Sequence, residues 1–492
     1  MLAVVVSRAD EASLNVGEQL RELVDWRTES DTDRSDGDGG GIVYRHDGMA
    51  IREFDDRHLD LVRPAEAFED PDLLVFASKH AGNTGRLLTA HHTGNFGPAD
   101  HGGRDRELAL ACPNAHARVL AALGTHAPEG YRVGMEATHH GPSEVGAPSM
   151  FVEVGSGPDQ WRDPDAARAV ARAILDLRDV SPYRRPEGWS GALRESRVAD
   201  ERSGEQRDQL GEIDRTAETD RTGEVDRAGE PDSIRHLVGF GGGHYAPRFE
   251  RLLVETDWAV GHVAPDWGLE AMGDHRTSTA RAVIEAAFEQ SRARYALVDG
   301  DYPHVVEAVE DLGYRPVSET WLREADGVAL PLVEALEEAI APVSAGLRFG
   351  AARPESSGTV AVVSLPEALL EAALAVDAEG VERAVAERTV AFLTEANGTT
   401  VVGPVALPDS TDSEALVVAL VDVLRTGYDE VERRDDVVLA RRERFDPDRA
   451  RTLGVPEGPA FGRLAAGDPV EVEGREIDPS SVHTIEEERF EV

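Results

Sequence analysis

The stretch "SMFVEVGSGPDQWRDPDAARAVARAILDLRD" (149–179) decides the fold. Its first eight residues form a short apolar run, the pattern of a strand buried on both faces. From 163 the pattern changes. Asp163 stands where an N-cap belongs, Pro164 falls in the first turn, and Ala, Val, Ile and Leu then recur at helical spacing. A buried strand followed by an amphipathic helix is the repeating unit of an α/β layer.

Working outward, the same alternation recurs. "MLAVVVS" (1–7) reads as a first strand with a helix near 11–26. Further strands are expected at "DLLVFAS" (72–78), "RLLTAHH" (86–92), "YRVGMEATHH" (131–140), "IRHLVGFGGG" (234–243), "DWAVGHV" (257–263) and "YALVDG" (295–300). Helices are expected at "NAHARVLAALGTH" (114–126) and "TSTARAVIEAAFEQS" (277–291), while "TESDTDRSDGDGGG" (28–41) reads as a polar loop. The fold class is α/β: a mixed, largely parallel sheet flanked by helices, with a C-terminal accessory region. We expect a catalytic domain over 1–335 and an accessory domain over 336–492. Within the first, Asp-Arg recurs every six residues without an apolar face, so 191–232 reads as a disordered acidic insertion.

The chain carries 94 acidic and 51 basic residues, a net charge of −43. Lys79 is its single lysine. Acid excess on an otherwise globular composition fits a protein adapted to molar salt, where screening is short-ranged. The lone Cys112 excludes a disulfide framework and a cysteine-based zinc motif. The N-terminal apolar run meets charge after seven residues, too soon for a signal peptide or a membrane span, so a cytoplasmic protein is expected.

Chemistry concentrates in "SKHAGNTGRLLTAHHTGN" (78–95), "EATHHGPSEVGAPSMFVEVGS" (136–156), "GFGGGHYAP" (239–247) and "GHVAPDWGL" (261–269). Neighbouring strand residues face opposite ways, so an extended His-His pair cannot aim both rings at one ion. We expect each pair to split, with His91 and His140 facing the site, and a metal to draw single histidines from several segments. The metal candidates are His139, His140, His244 and His262. Gly241, Gly242 and Gly243 could bring backbone N–H groups to an oxyanion or phosphate, with His244 and Tyr245 beyond them. Lys79 beside His80 is a candidate phosphate contact. Glu136 and Glu153 lie near the same strand ends as candidate bases.

In this order the motifs "SKH", "HHTGN", "THHGP", "PSMFVEVGS" and "GGGHYAP" resemble the archaeal and plant type of D-aminoacyl-tRNA deacylase over roughly residues 1–320. The resemblance implies a fold related to peptidyl-tRNA hydrolase and nucleoside phosphorylases. It implies hydrolysis of the ester joining a D-amino acid to the 3′ end of tRNA, and dependence on zinc. Ser78–His80, His91 with Gly94 and Asn95, Thr138–Pro142 and Gly243–Pro247 are the positions that match. His91, Asn95, His140 and His244 then become catalytic candidates, with Lys79, His80, Gly241–Gly243 and Tyr245 binding the substrate. The implied partner is the CCA end of D-aminoacyl-tRNA, bound by a monomer that uses neither DNA nor membrane, with a basic patch expected near Lys79, Arg86 and Arg104. A nucleoside-directed hydrolase or phosphorylase, or a non-catalytic RNA-binding protein, stays open at this point.

Overall fold

In the computed structural model the described residues are 1–183, 234–352, 360–395, 398, 400–408 and 413–492. The expected insertion at 191–232 lies outside them. The chain divides into two compact units, Met1–Gly327 and Val328–Val492. A boundary at 335/336 would cut the continuous helix Leu330–Ala339, so the division falls earlier.

The N-terminal unit holds β1 (Leu2–Ser7), α1 (Glu11–Leu23), β2 (Arg27–Asp31), β3 (Gly41–His46), β4 (Met49–Phe54), β5 (Leu73–Ala81) and β6 (Leu87–His92). There follow α2 (Pro113–His126), β7 (Arg132–Met135), β8 (Ser149–Ser156), α3 (Pro158–Trp161) and α4 (Pro164–Leu175). These strands make one sheet in the order β2-β3-β4-β1-β5-β8-β6-β7. Its centre, β4-β1-β5-β8, is parallel, whereas β6 runs antiparallel to β8. Both faces are covered. Val4, Val6, Val75 and Val152 pack toward the helices, while Val5, Phe76 and Phe151 pack on the other side. This is why these strands read as continuous apolar runs. Asp163 caps α4 as expected, accepting from the Asp165 and Ala166 N–H groups.

A second, all-parallel sheet is built from β9 (His236–Gly241), β10 (Ala259–Ala264), β11 (Tyr295–Asp299) and β12 (Arg315–Pro316), in the order β10-β9-β11-β12. The helices α5 (Pro247–Glu255), α6 (Asp266–Met272) and α7 (Ser278–Ser291) connect its strands.

Two local expectations change. Arg27–Asp31, read as loop, pairs with β3 as an edge strand; with its side chains mostly exposed it leaves no hydrophobic alternation. The strand expected over 131–140 ends at Met135, and the histidines lie beyond it. In the C-terminal unit, Leu347–Phe349, Ala361–Ser364, Ala391–Glu395 and Thr400–Leu407 form an antiparallel sheet. Glu430–Arg434, Val437–Phe445 and His483–Glu491 form another, and Leu370, Phe392, Leu420 and Phe490 share a core. Among the described residues no helix is long and apolar enough to cross a membrane.

Candidate active site

Beyond Met135 the backbone leaves the ladder, and its N–H groups are taken by partners from two sheets. Glu136 donates to the Ala90 carbonyl (3.2 Å), Ala137 to His244 (2.8 Å) and Thr138 to Val263 (3.0 Å). Residues 136–140 therefore bridge the two sheets, and neither residue of the pair is bound by strand alternation. His139 and His140 both face one pocket, their ring centroids 4.3 Å apart. The expectation that this pair splits is corrected for that reason.

The upstream pair, which is inside β6, does split. His91 stacks on Phe151 at 5.1 Å and lies 4.4 and 4.7 Å from the rings of His139 and His140. His92 points to the opposite face and joins His116 and His262 in a second buried group. His262 is thereby removed from the metal candidates. One ring nitrogen meets the Thr138 hydroxyl (3.0 Å) and the other the Ala109 carbonyl (2.8 Å).

His91, His139 and His140 each place Nδ1 against a backbone carbonyl, of His92 (2.9 Å), Ala137 (2.8 Å) and Gly141 (2.8 Å) respectively. A carbonyl only accepts, so each Nδ1 carries a proton and, in the neutral ring, each Nε2 keeps its lone pair. One ligand atom from each of the three lies within 4.8 Å of the others. His91 Nε2 is buried without a hydrogen-bond partner. Two further triads adjoin this one, Glu136–His139–His244 and His80–Glu136–Glu153.

Glu136 is the hub. Its Oε2 lies 2.7 Å from His244 Nε2 and its Oε1 3.2 Å from His80 Nδ1. Burial would raise this carboxyl, but the hydrogen bond with His244 and the close approach of His80 hold it well below the usual range. Burial raises Glu153 despite the His91 imidazole, whose Nε2 lies 3.9 Å from its Oε1. Burial would lower His80 and His91, yet Glu136 and Glu153 more than offset it and raise both. His140 is pushed down to about 3 by burial and by His91. The pocket thus mixes retained negative charge, two imidazoles that hold a proton more readily, His80 and His91, and two that resist it, His139 and His140. Gly155 admits His80 here, since a Cβ would stand 2.7 Å from its ring.

Other candidates have different duties. The Asn95 amide spends both N–H groups on the carbonyls of Gly102 (2.9 Å) and Arg104 (3.2 Å), pinning the 97–106 loop instead of serving an oxyanion. Gly242 N–H already donates to Asp266 (2.7 Å), although Gly241–Gly243 leads directly to His244. Lys79 turns to the helical face, 5.3 Å over the Trp161 ring. Arg86 lies over Tyr131, and Arg104 is paired with Glu144 at 2.6 Å, so each of these cations has a partner of its own. Tyr245 does join, its hydroxyl 3.2 Å from His80 Nε2. Phe151, the floor under His91, went unread as a site residue. Its signal is the alternation Phe151, Glu153, Gly155 along one face of β8.

The model of the family described as D-aminoacyl-tRNA deacylase matches residues 67–189 and 215–316. A D-aminoacyl-tRNA deacylase of Haloarcula marismortui is 51% identical over 97% of both chains, and one of Natronomonas pharaonis 48% over 100% of both. The chain belongs to the D-aminoacyl-tRNA deacylase family. A further relative so named, from Methanoregula boonei, is 30% identical over 100% of this chain and 98% of its own. These matches run through the C-terminal unit, which is therefore shared within the family and not an extension peculiar to this chain. A solved protein described as conserved and of unknown function is 26% identical, with a TM-score of 0.49, covering 66% of this chain and 98% of that one.

Proposed function

We propose that this D-aminoacyl-tRNA deacylase opens the ester bond in the pocket between His91, His139, His140, Glu136 and His244. The supporting observation is the convergence of His91, His139 and His140, one ring nitrogen of each within 4.8 Å of the others and each Nδ1 bonded to backbone, beside a buried carboxylate. That donor set fits zinc, with His91, His139 and His140 as ligands. Bound there, zinc would supply Lewis acidity and a more acidic water.

The chain's own residues account for the proton movements. Glu136, held ionised through His244 and His80, takes the proton of the attacking water by way of His244. The water oxygen adds to the ester carbonyl. On collapse the carbon–oxygen bond to the ribose breaks, and His244 returns the proton to the leaving 3′ oxygen. The free D-amino acid and tRNA result. Tyr245 and Glu153 orient His80 and His91. The wall made by His139–Pro142 and the 97–106 loop excludes the L-configured α-carbon by shape.

The −43 charge fits work in molar salt inside a haloarchaeal cytoplasm, and the substrate end taken up is the CCA end, by a monomer. The test is deacylation of D-Tyr-tRNA and L-Tyr-tRNA in molar KCl, before and after chelation, with metal analysis of the same preparation. Fast turnover of the D ester alone, lost on chelation and restored by zinc, is expected. Equal rates on both esters would end the chiral reading, and chelator-insensitive turnover would end the zinc reading.

A further inference from the structure

We infer that Arg132 is the phosphate anchor for the substrate's 3′-terminal strand, a reading that rests on the tRNA ester being the substrate. Arg132 opens β7, opposite Leu87 in register, and Gly134 stands opposite Thr89. Side chains alternate along a strand, so Arg132 shares the face of Thr89 and His91, the face that carries the pocket. Glu136 follows four residues later, about 13 Å away at strand spacing. That separation suits a backbone phosphate lying beyond the ester, not the ester itself.

Its charge is unspent. Several arginines of this acidic chain are matched by carboxylates: Arg45 by Glu29 and Glu69, Arg323 by Glu255 and Glu319, Arg441 by Glu430 and Glu487. Arg132 is exposed, and its guanidinium donates to the Thr84 carbonyl (3.3 Å), while no carboxylate among the described residues pairs with it. Glu250 Oε2 lies 3.5 Å from where a Cβ on Gly134, two residues along, would stand.

It also stands at the rim of the pocket. Its positive charge acts on the Tyr245 hydroxyl, which meets His80 Nε2, and Thr84 is hydrogen-bonded to Ser156 at the end of β8. Lys79 and Arg86 cannot replace it, since both lie over aromatic rings on the helical face, Trp161 and Tyr131. A guanidinium offers a phosphate two parallel N–H donors, a contact that survives high salt better than diffuse attraction.

The experiment compares wild type, Arg132→Ala and Arg132→Lys on two D-tyrosyl esters, one of tRNA and one of plain adenosine, which has no phosphate. Expected for Arg132→Ala is a KM roughly ten- to thirtyfold higher on the tRNA ester, with kcat little changed and the adenosine ester unaffected. Arg132→Lys should recover part of the loss, and the dependence of KM on salt should flatten in Arg132→Ala. Equal losses on both esters, or an unchanged KM for tRNA, would overturn the assignment. Binding of uncharged tRNA, measured in parallel, tests Arg132 without turnover. If wild type cleaves neither ester while Arg132→Ala still weakens tRNA binding, the ester-cleavage reading fails and the anchor stands.

Discussion

Replacing Glu136 by Gln keeps its shape and deletes its charge, which makes it a demanding test of the pocket. The carboxylate makes one close contact to His244 (2.7 Å) and another to His80 (3.2 Å), and its side chain is fully buried. Hydrogen bonds to a charged partner are worth about 1.5–3 kcal/mol each. If both contacts serve the transition state, the loss is roughly 3–6 kcal/mol, or about 10²- to 10⁴-fold in rate. Stability should behave differently. The amide escapes the desolvation cost of a buried charge but loses contacts that outweigh it, so the unfolding free energy should fall by less than the activation barrier rises. Deacylation rate and guanidinium unfolding, measured in the same molar-salt buffer, separate the two. Activity within threefold of wild type would refute the placement of Glu136 at the reaction centre. A rate loss accompanied by a comparable loss of stability would show that it is merely structural.

The split of the upstream pair predicts opposite phenotypes: His91→Ala should lose turnover and zinc content together. His92→Phe should keep zinc stoichiometry and lose only stability, as read by metal analysis and thermal melting. Burial holds His116 and His262 down to about 4 in the folded chain, against 6.5 for an ordinary imidazole. Between these values the unfolded chain binds the protons, so stability is fully present above pH 6.5 and is lost as pH falls toward 4. By pH 5 each should cost about 2 kcal/mol, and a His262→Gln variant should show a shallower fall between pH 7 and 5 in chemical unfolding. Zinc uptake must displace the proton that Glu153 helps keep on His91, so titrating zinc into metal-free protein in weak buffer should acidify the solution. An unchanged pH would speak against His91 as a ligand.

How much of this was legible in the sequence depends on where the backbone is regular. Strand β8 and helix α4 announce themselves through burial pattern, cap and proline, and alternation by two was enough to assign His91 and His92 to opposite faces. The same rule fails at His139 and His140 because their segment donates to Ala90, His244 and Val263 in turn, contacts between sheets that no local pattern encodes. Asn95 illustrates a second limit. Its side chain could have served substrate or loop, and only the positions of the Gly102 and Arg104 carbonyls decide for the loop. Arg132 was unremarkable in sequence, since being unpaired among so many carboxylates is a property of space.

One contact in the wall of the pocket carries a further consequence. Gly141 rests on Gly102 and Gly103, and a Cβ on Gly141 would stand 2.4 Å from their backbone atoms. The 97–106 loop therefore lies main chain to main chain on the histidine turn, with Gly141 N–H donating to the His101 carbonyl (3.2 Å). Such a seam has no rotamers to populate, so it cannot yield by a side-chain flip, as the proposed shape discrimination requires. Discrimination by shape is only as good as the stiffness of the surface that enforces it. A residue with a side chain at 141 would pry the seam open, and fidelity should decay there before catalysis does.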